Sequence, residues 1–203
     1  MLNRRSFIAA LCFFVCAWPM PSLSKTATGP DKLVKRNYKK IQGIVAESPN
    51  AKIVSDKVTV VLDSMVDWPI FSRKTLTGKI WDGLKEADQQ RFITSYRKLI
   101  VRKYAKRFKP KTSFTVDFRG TTFFDSKKKA VVKTTVHTQS KGKKLGVDVD
   151  YEFILTKKGW RTGDIITDDI SRARTYRPTF RRIYQKRGLD ALIGAIEKNA
   201  KKR

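Results

Sequence analysis

The hydrophobic period of this chain changes at Pro110 from a helical repeat to a strand repeat, and that change limits the fold more than any other feature. Before it, apolar residues recur at spacings of three and four. Leu33, Val34, Tyr38, Ile41 and Val45 make one stripe, which Ser48-Pro49-Asn50 ends. Val54, Val58, Val61, Leu62 and Met65 make a second, and Trp68-Pro69 reads as a break. Leu76, Ile80, Trp81 and Leu84 read as a third. Phe92, Tyr96, Leu99, Ile100 and Tyr104 form the clearest, backed by Arg91, Arg97, Lys98, Arg102 and Lys106. After Pro110 the alternation is every second residue: Phe114, Val116, Phe118; Val132, Thr134, Val136; then Val147 to Leu155, where Asp148, Asp150 and Glu152 point the other way. Lys141-Gly142-Lys143-Lys144 and Lys157-Lys158-Gly159 read as turns, with a further strand starting at Trp160. The helical period returns in Tyr176, Phe180, Ile183 and Tyr184, stops at Gly188, and resumes in Leu189, Leu192, Ile193 and Ile196. Helices, an antiparallel meander, then helices predict an α+β domain. Its amphipathic helices cover one face of a twisted antiparallel sheet.

The N-terminus precedes this domain. Arg4 and Arg5 lead into an apolar run from Phe7 to Trp18, followed by Ser22 and Ser24 at the spacing of a cleavage site after Ser24. Residues 1–24 are therefore expected to be a secretory signal peptide, and residues 25–203 the domain. The run is about a dozen residues, short of the roughly 20 a spanning helix needs. An uncleaved anchor is the other reading, and Sec and Tat export both remain open. Cleavage removes Cys12, Cys16, Arg4 and Arg5 but no acid, leaving 43 basic against 18 acidic residues, a net charge of +25. A mature chain without cysteine has no disulfide to hold it in an oxidising compartment, so its core must do so.

Catalytic residue types are sparse. With one His and both Cys in the leader, a Cys/His zinc site is excluded and a Cys-His nucleophile is implausible. His137 lies among alternating strand residues and reads as structural or exposed, because general-base work needs positioned partners. Asp148, Asp150 and Glu152 read as a solvated strand face rather than a metal site. Asp164 reads as a cap or turn residue, and Trp160 as a core anchor.

Two stretches resemble the MlaC, or toluene-tolerance, family. The first holds Val66-Asp67-Trp68, Trp81, Gln90-Arg91, Phe92, Tyr96-Arg97 and Leu99-Ile100. The second holds Gly159-Trp160-Arg161, Asp164, Asp168, Ile170-Ser171, Tyr176-Arg177, Phe180, Ile183, Gly188-Leu189 and Leu192-Ile193, in the family's order and spacing. Gly163 stands where the family usually has an aromatic residue, and Asp169 where it usually has Gly. The resemblance implies a periplasmic carrier that shuttles phospholipid between the outer membrane and an inner-membrane ABC transporter of the MCE type. Its partners would be that transporter and an outer-membrane lipoprotein/porin complex. The acyl chains would lie in an apolar cavity between sheet and helices, without cofactor, metal or covalent chemistry. On this reading Val149, Tyr151, Phe153 and Ile170 line the cavity from the sheet side, and Met65, Phe71, Leu76 and Ile80 from the helical side. Two alternatives stand beside it: a carrier of another apolar lipid such as a hopanoid, and an α+β cup enzyme using His137.

Charge adds a surface expectation. Arg97–Lys111 holds eight Lys/Arg and no acid, Lys127–Lys144 seven and none, and Arg172–Arg203 eleven against Asp190 and Glu197. For an exported protein this excess points to an anionic membrane surface, with Arg172, Arg174, Arg181 and Arg182 as docking residues. Nucleic acid, the other partner of a basic surface, is disfavoured by the export signal and by the lack of a recognised motif.

Overall fold

The computed structural model describes residues 29–140 and 143–201. The signal-peptide reading of residues 1–24, the tip of the turn at 141–142 and the last two basic residues lie outside the described residues. The element order is α1 (Pro30–Glu47), α2 (Ala51–Met65), α3 (Trp68–Leu76), α4 (Gly78–Trp81), α5 (Glu86–Ala105), β1 (Phe114–Phe124), β2 (Lys129–Ser140), β3 (Lys143–Thr156), β4 (Gly159–Thr167), β5 (Ile170–Ser171) and α6 (Arg172–Lys201). The five strands form one antiparallel sheet in chain order. The α+β plan expected from the period switch is the one observed.

One boundary differs from the sequence reading. Trp68-Pro69 starts a helix instead of breaking one. Asp67 accepts the Ile70 amide as N-cap, and proline in the first turn has no hydrogen bond to lose. The stripe expected over Leu76–Leu84 is consequently split. Leu76 ends α3, Thr77 takes φ 72°, and Ile80 and Trp81 fall in the separate short turn α4. At the other end of the chain, Gly188 kinks α6 with φ 75°, as its place between two apolar stripes suggested.

The helices divide the work of burial. Between α3, α5 and α6 lies an aromatic cluster, buried except for the half-buried Tyr176 at its edge. Phe71 stacks on Tyr96 at 5.5 Å, and Phe92, Tyr96, Tyr176 and Phe180 meet at centroid distances of 5.3–6.0 Å. Against the apolar face of the sheet, α1 rests on β1 and β2. The α2–α3 link joins β4, where Val66 bridges Thr162 and the Asp67 amide donates to the Thr162 carbonyl at 2.9 Å.

Two departures from regular pairing shape the β3–β4–β5 side. The register shifts between Glu152 and Phe153, leaving Gly163 as the extra residue of β4. A Cβ there would stand 3.1 Å from side-chain methyls of Ile70 on α3 and Ile154 on β3, so one of these neighbours would have to give way by a few tenths of an ångström. The next turn is a two-residue hairpin in which Asp168 and Asp169 take φ 47° and 61°.

Asp164, fully buried beside that bulge, ties three elements together. It lies 3.0 Å from Lys74 of α3, accepts from the Ser171 hydroxyl at 2.6 Å, and accepts the Ala173 amide at the start of α6. Lys74 also reaches Glu152 on the polar side of the sheet. Arg177 of α6 donates to the Lys74 carbonyl at 2.6 Å. Asp164 thus serves the first turn of α6 from within β4, at longer range than the local cap or turn expected of it, while Ser171 accepts the Arg174 amide.

Candidate functional site: an apolar cavity under the helices

A cavity of about 250 Å³ separates the sheet from α1, α2 and the C-terminal end of α5. Its floor is the near half of the sheet: Phe114 of β1, Val136 and Thr138 of β2, Val147, Val149 and Tyr151 of β3, and Thr162, Ile165 and Thr167 of β4. Its roof is Tyr38 and Ile41 of α1, Leu62 and Met65 of α2, Trp68, and Ile100, Val101, Tyr104 and Phe108 at and after the end of α5. Arg107 is the one charged residue in this wall.

Local sequence explains the arrangement. The β-period puts Val136, Thr138, Val147, Val149 and Tyr151 on one face. The bulge at Gly163 brings Ile165 and Thr167 back onto that face opposite Tyr151 and Val149. Beside Arg107, Asn37 and four threonines, three tyrosines bring polar atoms to a mostly apolar wall. The hydroxyls of Tyr38 and Tyr151 share a hydrogen bond of 2.7 Å across the floor–roof gap. Burial pushes the phenol of Tyr38 up and that of Tyr151 well above the ordinary tyrosine range. Tyr104 is raised by the same cause, partly offset by the nearby Arg172 and Arg107 guanidiniums. Such neutral phenols bring hydrogen-bonding capacity to the cavity and no charge at neutral pH.

Of the eight residues expected at the cavity, Met65, Val149 and Tyr151 line it. The other five are placed elsewhere. Phe71 and Leu76 are fully buried, with Phe71 held by Tyr96 in the closed helical core. Ile80 is half-buried on α4 at that same helical side. Phe153 shares the inward face of β3 but lies beyond the cavity, in the wall of a neighbouring groove. Ile170 is 55% exposed, because the hairpin at Asp168-Asp169 turns β5 outward. Trp160, expected as a core anchor, is half-buried in that same groove wall, with Phe123 at 6.0 Å. Sequence reasoning missed the roof residues Tyr38, Ile41, Tyr104 and Phe108 as cavity wall. The apolar stripes held the first three of them, with nothing in the stripe to separate wall from core.

The enzyme reading finds no support in this geometry. His137 is exposed on the opposite face of the sheet, 2.8 Å from Asp117, and neither residue borders the cavity. Asp148 and Asp150 pair with Arg119 on that outer face. No group of three or more His, Cys, Asp or Glu among the described residues is arranged to hold a metal ion. Nor is any described helix long and apolar enough to cross a membrane.

The model of the MlaC protein family matches residues 35–198, from within α1 to within α6. The chain belongs to the MlaC family. Its fold is that of a phospholipid-binding protein from Ralstonia solanacearum whose structure was solved in complex with a phospholipid. The TM-score is 0.72 at 20% sequence identity, over 84% of this chain and 96% of that one. No curated protein matches the sequence. Family membership gives the motif residues their structural meaning: Val66-Asp67-Trp68 is the bridge to β4 and the cap of α3, while Asp164 and Ser171 start α6.

Proposed function

We propose that this chain is a periplasmic lipid carrier that holds the acyl chains of a phospholipid in the cavity above the sheet. It would move lipid between the outer membrane and an inner-membrane ABC transporter of the MCE type. The observation that carries the reading is the cavity itself. In a chain of net charge +27, Arg107 is the one charged residue among 22 that line an internal space. A core needing only stability closes such a gap, since voids forfeit packing. Membership of the MlaC family and the phospholipid-bound relative of the same fold support the identity of the guest. On this reading the chain carries and does not catalyse. Residues 1–24 direct export and are removed, and the route is Sec or Tat. Partners are the transporter, an outer-membrane lipoprotein/porin complex and anionic membrane.

The surface arginines fit the docking half of this reading unequally. Arg174, Arg181 and Arg182 are exposed on α6, whereas Arg172 is half-buried and donates to the Thr167 hydroxyl at 3.3 Å. Arg174, Arg181 and Arg182 are therefore the docking candidates, and Arg172 braces the β4–α6 corner. The deciding experiment is organic extraction of the purified protein followed by mass spectrometry. Co-purified two-tailed phospholipid is expected, a hopanoid in its place selects the alternative cargo, and protein free of any lipid refutes the carrier reading.

A further inference from the structure

Next to the cavity lies a second groove of different chemistry. It shares Asn37 and Met65 with the cavity, then runs out between α1 and the β3–β4 turn past Trp160. Its walls carry five cations: Arg36, Lys40, Lys157, Lys158 and Arg161. Arg161 donates to the Ser64 carbonyl at the end of α2. The other four make no ion pair among the described residues, and no acidic residue borders the groove. Four unpaired cations facing one groove repel each other unless an anion joins them.

The junction is the second observation. Asn37 is only 6% exposed, yet its side-chain amide has no hydrogen-bond partner among the described residues. On the cavity side the buried Thr162 hydroxyl is likewise unpartnered. The Thr162 hydroxyl is fully buried, and leaving such a group unpaired costs about 1–3 kcal/mol; the Asn37 amide keeps a small accessible edge. An unpaired amide where an apolar cavity meets a cationic groove fits a molecule with the same order of chemistry: apolar tails, then carbonyl acceptors, then an anion.

Resting on the carrier reading above, we propose that this groove is the polar subsite for a glycerophospholipid. Asn37 donates to an ester carbonyl of the glycerol backbone, and the phosphate lies among Lys40, Lys157, Lys158 and Arg36. The protein therefore reads the phosphate as well as the tails, so a diacylglycerol with identical tails is a poor guest.

The test uses purified protein stripped of lipid, loaded from vesicles doped with dioleoylphosphatidylglycerol or with dioleoylglycerol, and assayed by extraction and mass spectrometry. Wild type should favour the phosphatidyl lipid by about tenfold or more, the scale of one or two charge-assisted contacts. Lys40→Gln/Lys157→Gln/Lys158→Gln changes exposed residues only. It should bring that ratio close to parity while dioleoylglycerol uptake stays at the wild-type level. Asn37→Leu should erase a preference for ester over ether-linked tails and leave the phosphate preference intact. An unchanged ratio in the lysine variant, or equal uptake of both lipids by wild type, overturns the subsite. Wild type that takes up neither lipid refutes the carrier reading itself, a different result from equal uptake of both.

Discussion

Replacing Val149 by Asp separates cavity from fold. Val149 is half-buried in the floor, on the same face as Val147 and Tyr151 and opposite Thr167. Its removal from packing costs the fold about 1 kcal/mol, roughly half of what a fully buried valine contributes. The new carboxylate keeps a shell of water in the cavity, because a dry carboxylate is far more costly. That water displaces acyl methylenes. At about 0.8 kcal/mol per methylene, excluding four of them loses about 3 kcal/mol, or roughly two orders of magnitude in affinity. Thermal unfolding should therefore shift little while extracted lipid falls to near zero. Ile170→Asp is the matched control. It adds the same carboxylate at a side chain 55% exposed on the far side of the Asp168-Asp169 turn. It should retain full lipid. The reasoning fails if Val149→Asp keeps full occupancy, or if Ile170→Asp loses lipid while folded.

Three further outcomes follow from the same structure. Asp169→Gly relieves an L-residue at φ 61° and should raise stability by about 0.5–1 kcal/mol in denaturant titration, with lipid occupancy unchanged. Asp164→Ala leaves the Ser171 hydroxyl and the Ala173 amide without their acceptor and Lys74 with Glu152 alone; chemical unfolding should show a loss of about 3 kcal/mol. Burial raises the phenols of Tyr38, Tyr96, Tyr104 and Tyr151, so above about pH 10 the unfolded chain releases protons that the folded chain keeps. Stability should then decline as pH rises through that range, and ultraviolet titration should show a set of phenols ionising only with unfolding.

The fold was legible because period is a local property. Val147 to Phe153 alternates strictly, and that pattern reads as a half-buried strand. The cavity was legible only in part, because a wall is made by distant elements. Tyr151 and Phe153 share one face of β3, yet one meets Tyr38 of α1 and the other meets the next groove. Phe71 looked as available as Met65 until Tyr96, 25 positions later, stacked on it. Trp68-Pro69 was ambiguous for a different reason. Proline stops a helix from within and starts one at its first turn, and Asp67 decides between these only by its cap geometry. Asn37 carried no signal at all, since an Asn in a helix says nothing of its partners.

The bulge in β1 bears on how such a chain survives at high concentration. β1 is an edge of the sheet, paired only with β2, and an open edge invites a second copy to add its own strand. The register shift between Phe118 and Gly120 leaves Arg119 as an unpaired extra residue and divides the strand in two. Neither Phe114–Phe118 nor Gly120–Phe124 exceeds five residues, so an incoming strand finds no long run of evenly spaced donors and acceptors. Arg119 is itself ion-paired to Asp148 and Asp150, which pins the kink in place. An edge divided and charged in this way is a poor template for the strand of a second copy.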